Sequence, residues 1–156
     1  MNSPRTAADI MVTKLVTLSP QMRLREAAKL LLKNRISGAP VVNGGGELIG
    51  IFSEQDMMRA LIDTVYDELP SSEVRNYMSR DPYTIKEDLD LLSIAQTFQS
   101  KGFRRLPVVC DQRLVGQISR RDVMEAVVKL MEPASDRKSA ILYLSALREH
   151  PETPLE

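Results

Sequence analysis

The sequence contains an internal repeat, and this repeat constrains the fold more than any other feature. Residues of the same type pair at a separation of 67 positions in the first part of each copy, and at 66 positions after a deletion in the second copy. A chain with such an internal repeat folds as two copies of one supersecondary unit, and the two copies bury their apolar faces against each other. The matched pairs include Met11 with Met78, Thr17 with Thr84, Pro40 with Pro107, Gly50 with Gly116, Ser53 with Ser119 and Asp56 with Asp122.

Each copy predicts the same order of elements, β-α-β-β-α, behind a short leading helix. Apolar residues at helical spacing, such as Leu24, Ala27 and Leu31, predict an amphipathic helix with one buried stripe. A hairpin of two strands follows, and a last helix begins after Ser53 or Ser119. The leading helices are predicted to end near Met11 and Met78, and Ser71 and Ser72 are predicted to cap the second. The predicted extended segments are Val16–Leu18 and Tyr83–Ile85. The predicted strands of the first copy are Ala39–Val42 and Leu48–Phe52, and the predicted turns are Asn43–Gly46 and Cys110–Arg113.

The size of each copy predicts that the two pack together. A copy of about 60 residues buries too little apolar surface to be stable alone. We therefore predict an α/β fold of two β-α-β-β-α repeats, at residues 5–65 and 71–131, with pseudo-two-fold symmetry. A further C-terminal helix is predicted within residues 135–150, where Ile141, Leu144 and Leu147 recur along one side.

Composition excludes several classes of function. Lys plus Arg equals Asp plus Glu at 21 each, so no overall charge favours nucleic acid or an anionic membrane. Neither a signal peptide nor an apolar segment of about 20 residues is present, which predicts a cytoplasmic protein without a membrane segment.

The single cysteine, Cys110, follows two valines and is predicted to be a small buried hydrophobe in a reducing compartment. The only histidine, His150, lies in the tail without neighbouring ligands, so neither a metal site nor a catalytic triad is expected.

The repeated Gly-x-x-Ser-x-x-Asp motif has two interpretations. Ser53 with Asp56, and Ser119 with Asp122, have the spacing of a capping box that satisfies free N–H groups at a helix start. The same helix start suits a phosphate, and a carboxylate beside it can accept hydrogen bonds from ribose hydroxyls. Spacing alone leaves cap and ligand site open.

The ordered set of motifs resembles a known family. A Thr in a short strand, an apolar helix, x-Pro-Val-Val and Gly-x-x-Ser-x-x-Asp, present twice over about residues 5 to 131, resemble the cystathionine beta-synthase (CBS) domain. Two copies in tandem resemble the CBS pair called a Bateman module, here expected to stand alone. The resemblance implies a non-catalytic regulatory module that binds AMP, ADP, ATP, S-adenosylmethionine or a dinucleotide in clefts between the repeats.

The resemblance implies two candidate clefts, each combining the Ser-x-x-Asp of one repeat with the other repeat's first strand and the segment before its proline. Asp would hold ribose, Ser or Thr would contact phosphate or the base edge, and apolar residues would enclose adenine. The first-choice cleft joins Ser119, Arg120, Arg121 and Asp122 to Val16, Thr17, Ile36, Ser37, Gly38 and Pro40. The second cleft joins Ser53 and Asp56 to Tyr83, Thr84, Phe103, Arg104, Arg105 and Pro107.

Charge distinguishes the two clefts. Arg120 and Arg121 lie inside the second motif, where the first motif has Glu54 and Gln55, so the Asp122 helix offers cations to a phosphate. Arg104 and Arg105 could instead serve a phosphate at the Asp56 cleft. A solvated basic face is the alternative for all four arginines.

Three functions follow as hypotheses. The first is an adenine-nucleotide sensor that changes the angle between repeats and signals to an effector protein. The second is a ligand-independent dimerisation scaffold whose Ser-x-x-Asp pairs are only caps, and the third, a hydrolase, lacks a convincing nucleophile and base. Apolar residues on the last helix of each copy predict a homodimer, an arrangement the family commonly uses. They are Met57, Met58, Leu61, Val123, Val127 and Val128.

Overall fold

The computed structural model describes residues 4–66, 72–132, 142 and 144–146, with only the backbone of 64–66. It confirms an α/β fold, and the elements follow the predicted order except that the first extended segment of the first copy forms a single bridge at Leu18 rather than a strand. The predicted helix at 135–150 lies outside the described residues except at 142 and 144–146, which are helical. The elements are α1 (Ala7–Ile10), α2 (Leu24–Asn34), β1 (Gly38–Val42), β2 (Leu48–Ser53), α3 (Glu54–Tyr66), a 3-10 helix (Val74–Asn76), β3 (Ser79–Arg80), β4 (Ile85–Lys86), α4 (Leu91–Lys101), β5 (Arg105–Cys110), β6 (Arg113–Ser119) and α5 (Arg120–Met131).

The strands form two three-stranded sheets, ordered β1-β2-β3 and β4-β5-β6. In the first sheet β1 and β2 are an antiparallel hairpin, with Pro40 opposite Ile51. The predicted extended segment of each copy runs parallel to the Pro-Val-Val strand. In the first copy Leu18 bridges to Val41, and in the second Ile85 of β4 pairs with Val108 of β5.

The chain divides into two compact units, and both units draw on both repeats. The Phe52 unit contains Val12–Lys86 and Leu106–Gln117. The Leu91 unit contains the described residues of Met1–Met11, Glu87–Arg105 and Ile118–Glu156. The leading helix of each repeat thus belongs to the same unit as the closing helix of the other repeat, although the repeats are contiguous in sequence.

The core of the Phe52 unit holds the 3-10 helix against elements of the first repeat. Val74 is fully buried in this core, and its N–H donates to the carbonyl of Met22 at 2.9 Å. The buried members of the core are Leu18, Leu24, Ala27, Leu31, Ala39, Val41, Phe52, Ala60 and Val74.

The predicted serine cap of the 3-10 helix is wrong for Ser72, and Ser71 lies outside the described residues. The N-cap is Glu73, which makes no side-chain cap bond. Ser72 is held before the helix because its carbonyl accepts the N–H of Leu24 at 3.2 Å, and its hydroxyl accepts from the Asn76 amide at 3.3 Å.

The Leu91 unit repeats this arrangement with α1. One buried cluster of this unit consists of Leu91, Ala126 and Leu130, and Ile10 of α1 packs against it. The N–H of Ala7 donates to the carbonyl of Leu89 at 2.8 Å, which fixes α1 beside the start of α4. The repeat aligns Ala7 with Val74, so equivalent residues of the two leading helices occupy buried positions in the two units.

The prediction that Cys110 is buried was wrong, because its side chain is exposed. Cys110 is the last residue of β5, where the strand leaves the core and enters its turn. That turn places Asp111 and Gln112 at φ values of 49° and 67°, whereas the first copy's turn has Gly46 at φ 81°.

The side chain of Asp90 caps the N-terminus of α4. Its Oδ1 accepts the N–H of Ser93 at 2.8 Å, and this bond, with that from the Ser93 hydroxyl, lowers the pKa of Asp90 below 3.8. Asp90→Ala should therefore cost about 1 kcal/mol of unfolding free energy at neutral pH. Because the folded pKa is lowered, the carboxylate's contribution is present above pH 3.8 and disappears as pH falls through the folded pKa. Urea unfolding at pH 7 and at a series of lower pH values measures both effects, and a difference between variant and parent that does not shrink as pH falls would contradict the cap.

Candidate functional site

The start of α5 carries a complete capping box. The Ser119 N–H and hydroxyl donate to Oδ2 of Asp122 at 2.7 and 2.9 Å, and the Asp122 N–H donates back to the Ser119 hydroxyl at 3.2 Å. Ser119 is extended, with φ −107° and ψ 166°, as an N-cap residue should be. The cap therefore uses one carboxylate oxygen of Asp122.

The start of α3 has the same internal bonds. The Ser53 N–H and hydroxyl donate to Oδ2 of Asp56 at 2.8 and 3.0 Å, and the Asp56 N–H lies 3.4 Å from the Ser53 hydroxyl. Asp56 is only 6% exposed, whereas Asp122 is half-buried. Both motifs are thus caps, as one of the two interpretations requires.

The two carboxylates differ at their second oxygen. Oδ1 of Asp56 accepts from Nη2 of Arg59 at 3.3 Å. The repeat places Glu125 at the position of Arg59, and Glu125 instead accepts from Nε of Arg121 at 3.2 Å. Within the described part of the chain, no donor contacts Oδ1 of Asp122. Among the described residues, Oδ1 of Asp122 is therefore an acceptor without a donor, whereas Oδ1 of Asp56 already accepts from Arg59.

The residues predicted for the first-choice cleft divide between the two units. Ser119, Arg120, Arg121 and Asp122 belong to the Leu91 unit, and the remaining six belong to the Phe52 unit. Those six come together within their unit, because the Leu18 N–H, next to Thr17, donates to the carbonyl of Pro40 at 2.9 Å. They are Val16, Thr17, Ile36, Ser37, Gly38 and Pro40.

The residues of the second cleft divide in the same way. Phe103, Arg104 and Arg105 belong to the Leu91 unit. Ser53, Asp56, Tyr83, Thr84 and Pro107 belong to the Phe52 unit, where the pairing of Ile85 with Val108 brings Thr84 beside Pro107.

The arginines inside the second motif are both exposed, but they are arranged differently. The Arg121 side chain is 84% exposed and extends along α5 to Glu125. Arg120, at the first position of α5, is exposed and its side chain makes no hydrogen bond or ion pair with the other described residues. Arg120 is therefore the cation of the motif that is better placed to meet a ligand at the helix start.

The contacts of Arg59 were not predicted from the sequence. Its Nη2 also donates to the carbonyl of Tyr77, and its guanidinium lies 5.7 Å from the centre of the Tyr77 ring. The Tyr77 hydroxyl donates to Asp63 at 3.0 Å. The sequence repeat gives one signal that the two motifs differ, since Arg59 and Glu125 have opposite charges at matched positions. The contact with Tyr77 could not be found in this way, because Tyr77 comes from the other repeat.

Gly50 of the first motif is needed for packing. A Cβ at this position would lie 2.7 Å from Sδ of Met78 and 2.7 Å from the carbonyl oxygen of Ser79. Gly50→Ala should therefore lower the unfolding free energy by about 1–3 kcal/mol through overpacking. Gly44→Ala is the matched control, because nothing lies within 4 Å of its Cβ position. Equal denaturation midpoints for the two variants would contradict this interpretation.

Two structural features bear on other functions. Among the residues that the structure describes, no three His, Cys, Asp or Glu side chains are grouped so that they could hold a metal ion. No helix within the described ranges has both the length and the apolarity needed to cross a membrane.

Comparisons with known proteins agree with the repeat and its motifs. The CBS domain model matches residues 7–63 and 74–129. The uncharacterized protein MJ1225 of Methanocaldococcus jannaschii is 36% identical over 117 residues, which cover 75% of this chain and 41% of that protein. The chain thus spans less than half the length of this curated relative.

Solved structures of CBS pairs share the fold. The crystal structure of CBSX2 in complex with AMP has a TM-score of 0.73 and 25% identity, covering 81% of this chain and 98% of that one. The CBS domain pair of MJ0100, in complex with 5′-methylthioadenosine and S-adenosyl-L-methionine, has a TM-score of 0.66 and 26% identity, covering 80% and 96%. With a family match over each repeat and this shared fold, the chain belongs to the CBS domain family as a tandem pair.

Proposed function

We propose that the chain is a regulatory module that binds an adenosine-containing ligand, with Asp122 holding the ribose. The observation that carries this proposal is the unoccupied Oδ1 of Asp122 beside a fully capped Oδ2. Ribose hydroxyls are donors, and a carboxylate with one fixed and one available oxygen is a preorganised acceptor for them. The complexes of CBSX2 with AMP and of MJ0100 with S-adenosyl-L-methionine support this ligand class.

The start of α5 also suits the phosphate of a nucleotide. The positive end of its helix dipole favours an anion, and exposed Arg120 can add a charge-assisted hydrogen bond. We propose that Val16, Thr17, Ile36, Ser37, Gly38 and Pro40 complete this cleft, with the apolar members against adenine. AMP, ADP, ATP, S-adenosylmethionine and a dinucleotide all carry the adenosine that this arrangement would recognise.

We propose that the module forms a homodimer in the cytoplasm. On α3 and α5, Met58, Leu61 and Met124 are each more than half exposed, which leaves apolar surface on both closing helices. A ligand that favours one arrangement of the repeats would change the surface presented to an effector protein. Sedimentation equilibrium tests the assembly, and a monomer at micromolar concentration would contradict it.

A scaffold without a ligand is the second candidate function. Asp9 accepts the N–H and hydroxyl of Thr6 at 3.0 and 3.1 Å, so the same Ser/Thr-x-x-Asp spacing acts as a plain cap on the short helix α1. If all three motifs are only caps, none should respond to nucleotides.

Ligand titration separates the two candidates. Thermal shift and isothermal calorimetry with AMP, ADP, ATP and S-adenosylmethionine should show saturable binding of at least one of them, and a raised melting temperature. Guanosine monophosphate controls for recognition of phosphate and ribose without adenine. The scaffold hypothesis predicts no binding and no shift with any of the adenosine compounds.

A further inference from the structure

Both oxygens of the Asp56 carboxylate already accept hydrogen bonds within the protein. Its Oδ2 accepts twice from Ser53, and its Oδ1 accepts from Arg59 at 3.3 Å. Asp56 is also 6% exposed. A ribose hydroxyl that approaches Oδ1 would have to compete with Arg59 for this nearly buried oxygen, and charge-assisted hydrogen bonds are stronger than neutral ones.

Additional contacts hold Arg59 in this position. The Arg59 side chain is 58% exposed, so its ion pair with Asp56 is by itself weak in water. The same Nη2 donates to the Tyr77 carbonyl, and the guanidinium faces the Tyr77 ring at 5.7 Å. The Tyr77 hydroxyl is in turn bonded to Asp63. Because four groups fix one another, release of Asp56 would break several contacts together.

The equivalent positions around Asp122 lack both the arginine and the tyrosine of this arrangement. Glu125 replaces Arg59, and its negative charge cannot bind Asp122. Ile10 replaces Tyr77, which removes both the ring and the hydroxyl. The repeat is therefore asymmetric at the two positions that determine whether the aspartate is accessible to a ligand.

We propose that Arg59 blocks ribose binding at Asp56, so that each chain binds one adenine nucleotide, at Asp122. Arg59 is thus a specificity-determining residue that selects between two otherwise equivalent Ser-x-x-Asp motifs. This inference rests on the proposed function. The guanidinium of Arg59 and its partners would then determine how many nucleotides each chain binds.

The test is isothermal calorimetry with AMP on the full chain and three variants. The parent should bind one AMP per chain, and Arg59→Gln should bind two. Glu125→Arg places a guanidinium at the equivalent distance along α5 from Asp122, and it should weaken AMP binding by about threefold to tenfold. Adding Asp122→Ala to Arg59→Gln should leave one site. Circular dichroism melting of each variant verifies that it is folded.

The outcomes separate this inference from the proposed function. One AMP per chain in both the parent and folded Arg59→Gln would overturn the role of Arg59 while leaving binding at Asp122 intact. Two AMP in the parent would overturn the inference in the same way. Binding in Arg59→Gln alone would support the block by Arg59 but contradict the site at Asp122. No binding by any of the folded proteins would contradict both.

Discussion

Phe52→Ala is expected to lower the free energy of unfolding by about 3–5 kcal/mol, because it removes a ring from the centre of a core. Phe52 lies on β2, is fully buried, and belongs to the same core as Leu18, Leu31 and Val74. That core joins strands and helices of the first repeat to the 3-10 helix of the second. A cavity there cannot be filled without moving several elements. Urea denaturation at equilibrium measures the change.

Leu32→Ala is the matched control for this prediction. Leu32 lies next to buried Leu31 on α2 but is 78% exposed, so its truncation should change stability by no more than about 0.5 kcal/mol. If Phe52→Ala and Leu32→Ala had similar effects, Phe52 would not lie at the centre of this core.

Asp122→Ala is expected to weaken binding of the preferred adenine nucleotide by about tenfold to a hundredfold. The variant removes the acceptor for ribose, and hydrogen bonds to a charged group contribute about 1.5–3 kcal/mol. It also removes the cap of α5, which should cost about 1 kcal/mol of stability. Calorimetric titration at a temperature where the variant is folded measures the affinity without this second effect.

Asp56→Ala is the control that separates the cap from the site. It removes the equivalent cap from α3, and with it the bond from Arg59, but it should leave affinity for the nucleotide unchanged. Loss of affinity in Asp56→Ala with normal affinity in Asp122→Ala would assign the ligand to the other motif. Equal losses would mean that both motifs bind.

The sequence predicted the elements well because the repeat provides two independent copies of each pattern. The positions of α2, α3, α4 and α5 follow from apolar spacing and from the Ser that precedes each closing helix. The parallel pairing of Leu18 with Val41, and of Ile85 with Val108, agrees with the extended segments predicted before α2 and α4. These features depend on neighbouring residues or recur at a fixed separation, so they can be predicted from a single sequence.

The long-range features could not be predicted in this way. Val74 enters the core of the Phe52 unit, and Ile10 enters that of the Leu91 unit, although each belongs by sequence to the other repeat. Apolar periodicity indicates that a helix face is buried, but not which partner covers it. The contact of Arg59 with Tyr77 depends on that exchange, so the block at Asp56 could not be inferred from the motif. The exposure of Cys110 likewise depends on where β5 ends.

A crystal structure of the full chain grown with AMP tests the central claim most directly. We expect one nucleotide per chain, with its ribose hydroxyls within hydrogen-bond distance of Oδ1 of Asp122 and with Arg59 still bonded to Asp56. A nucleotide whose ribose is bound by Asp56, or a fully occupied nucleotide that does not touch Asp122, would contradict it.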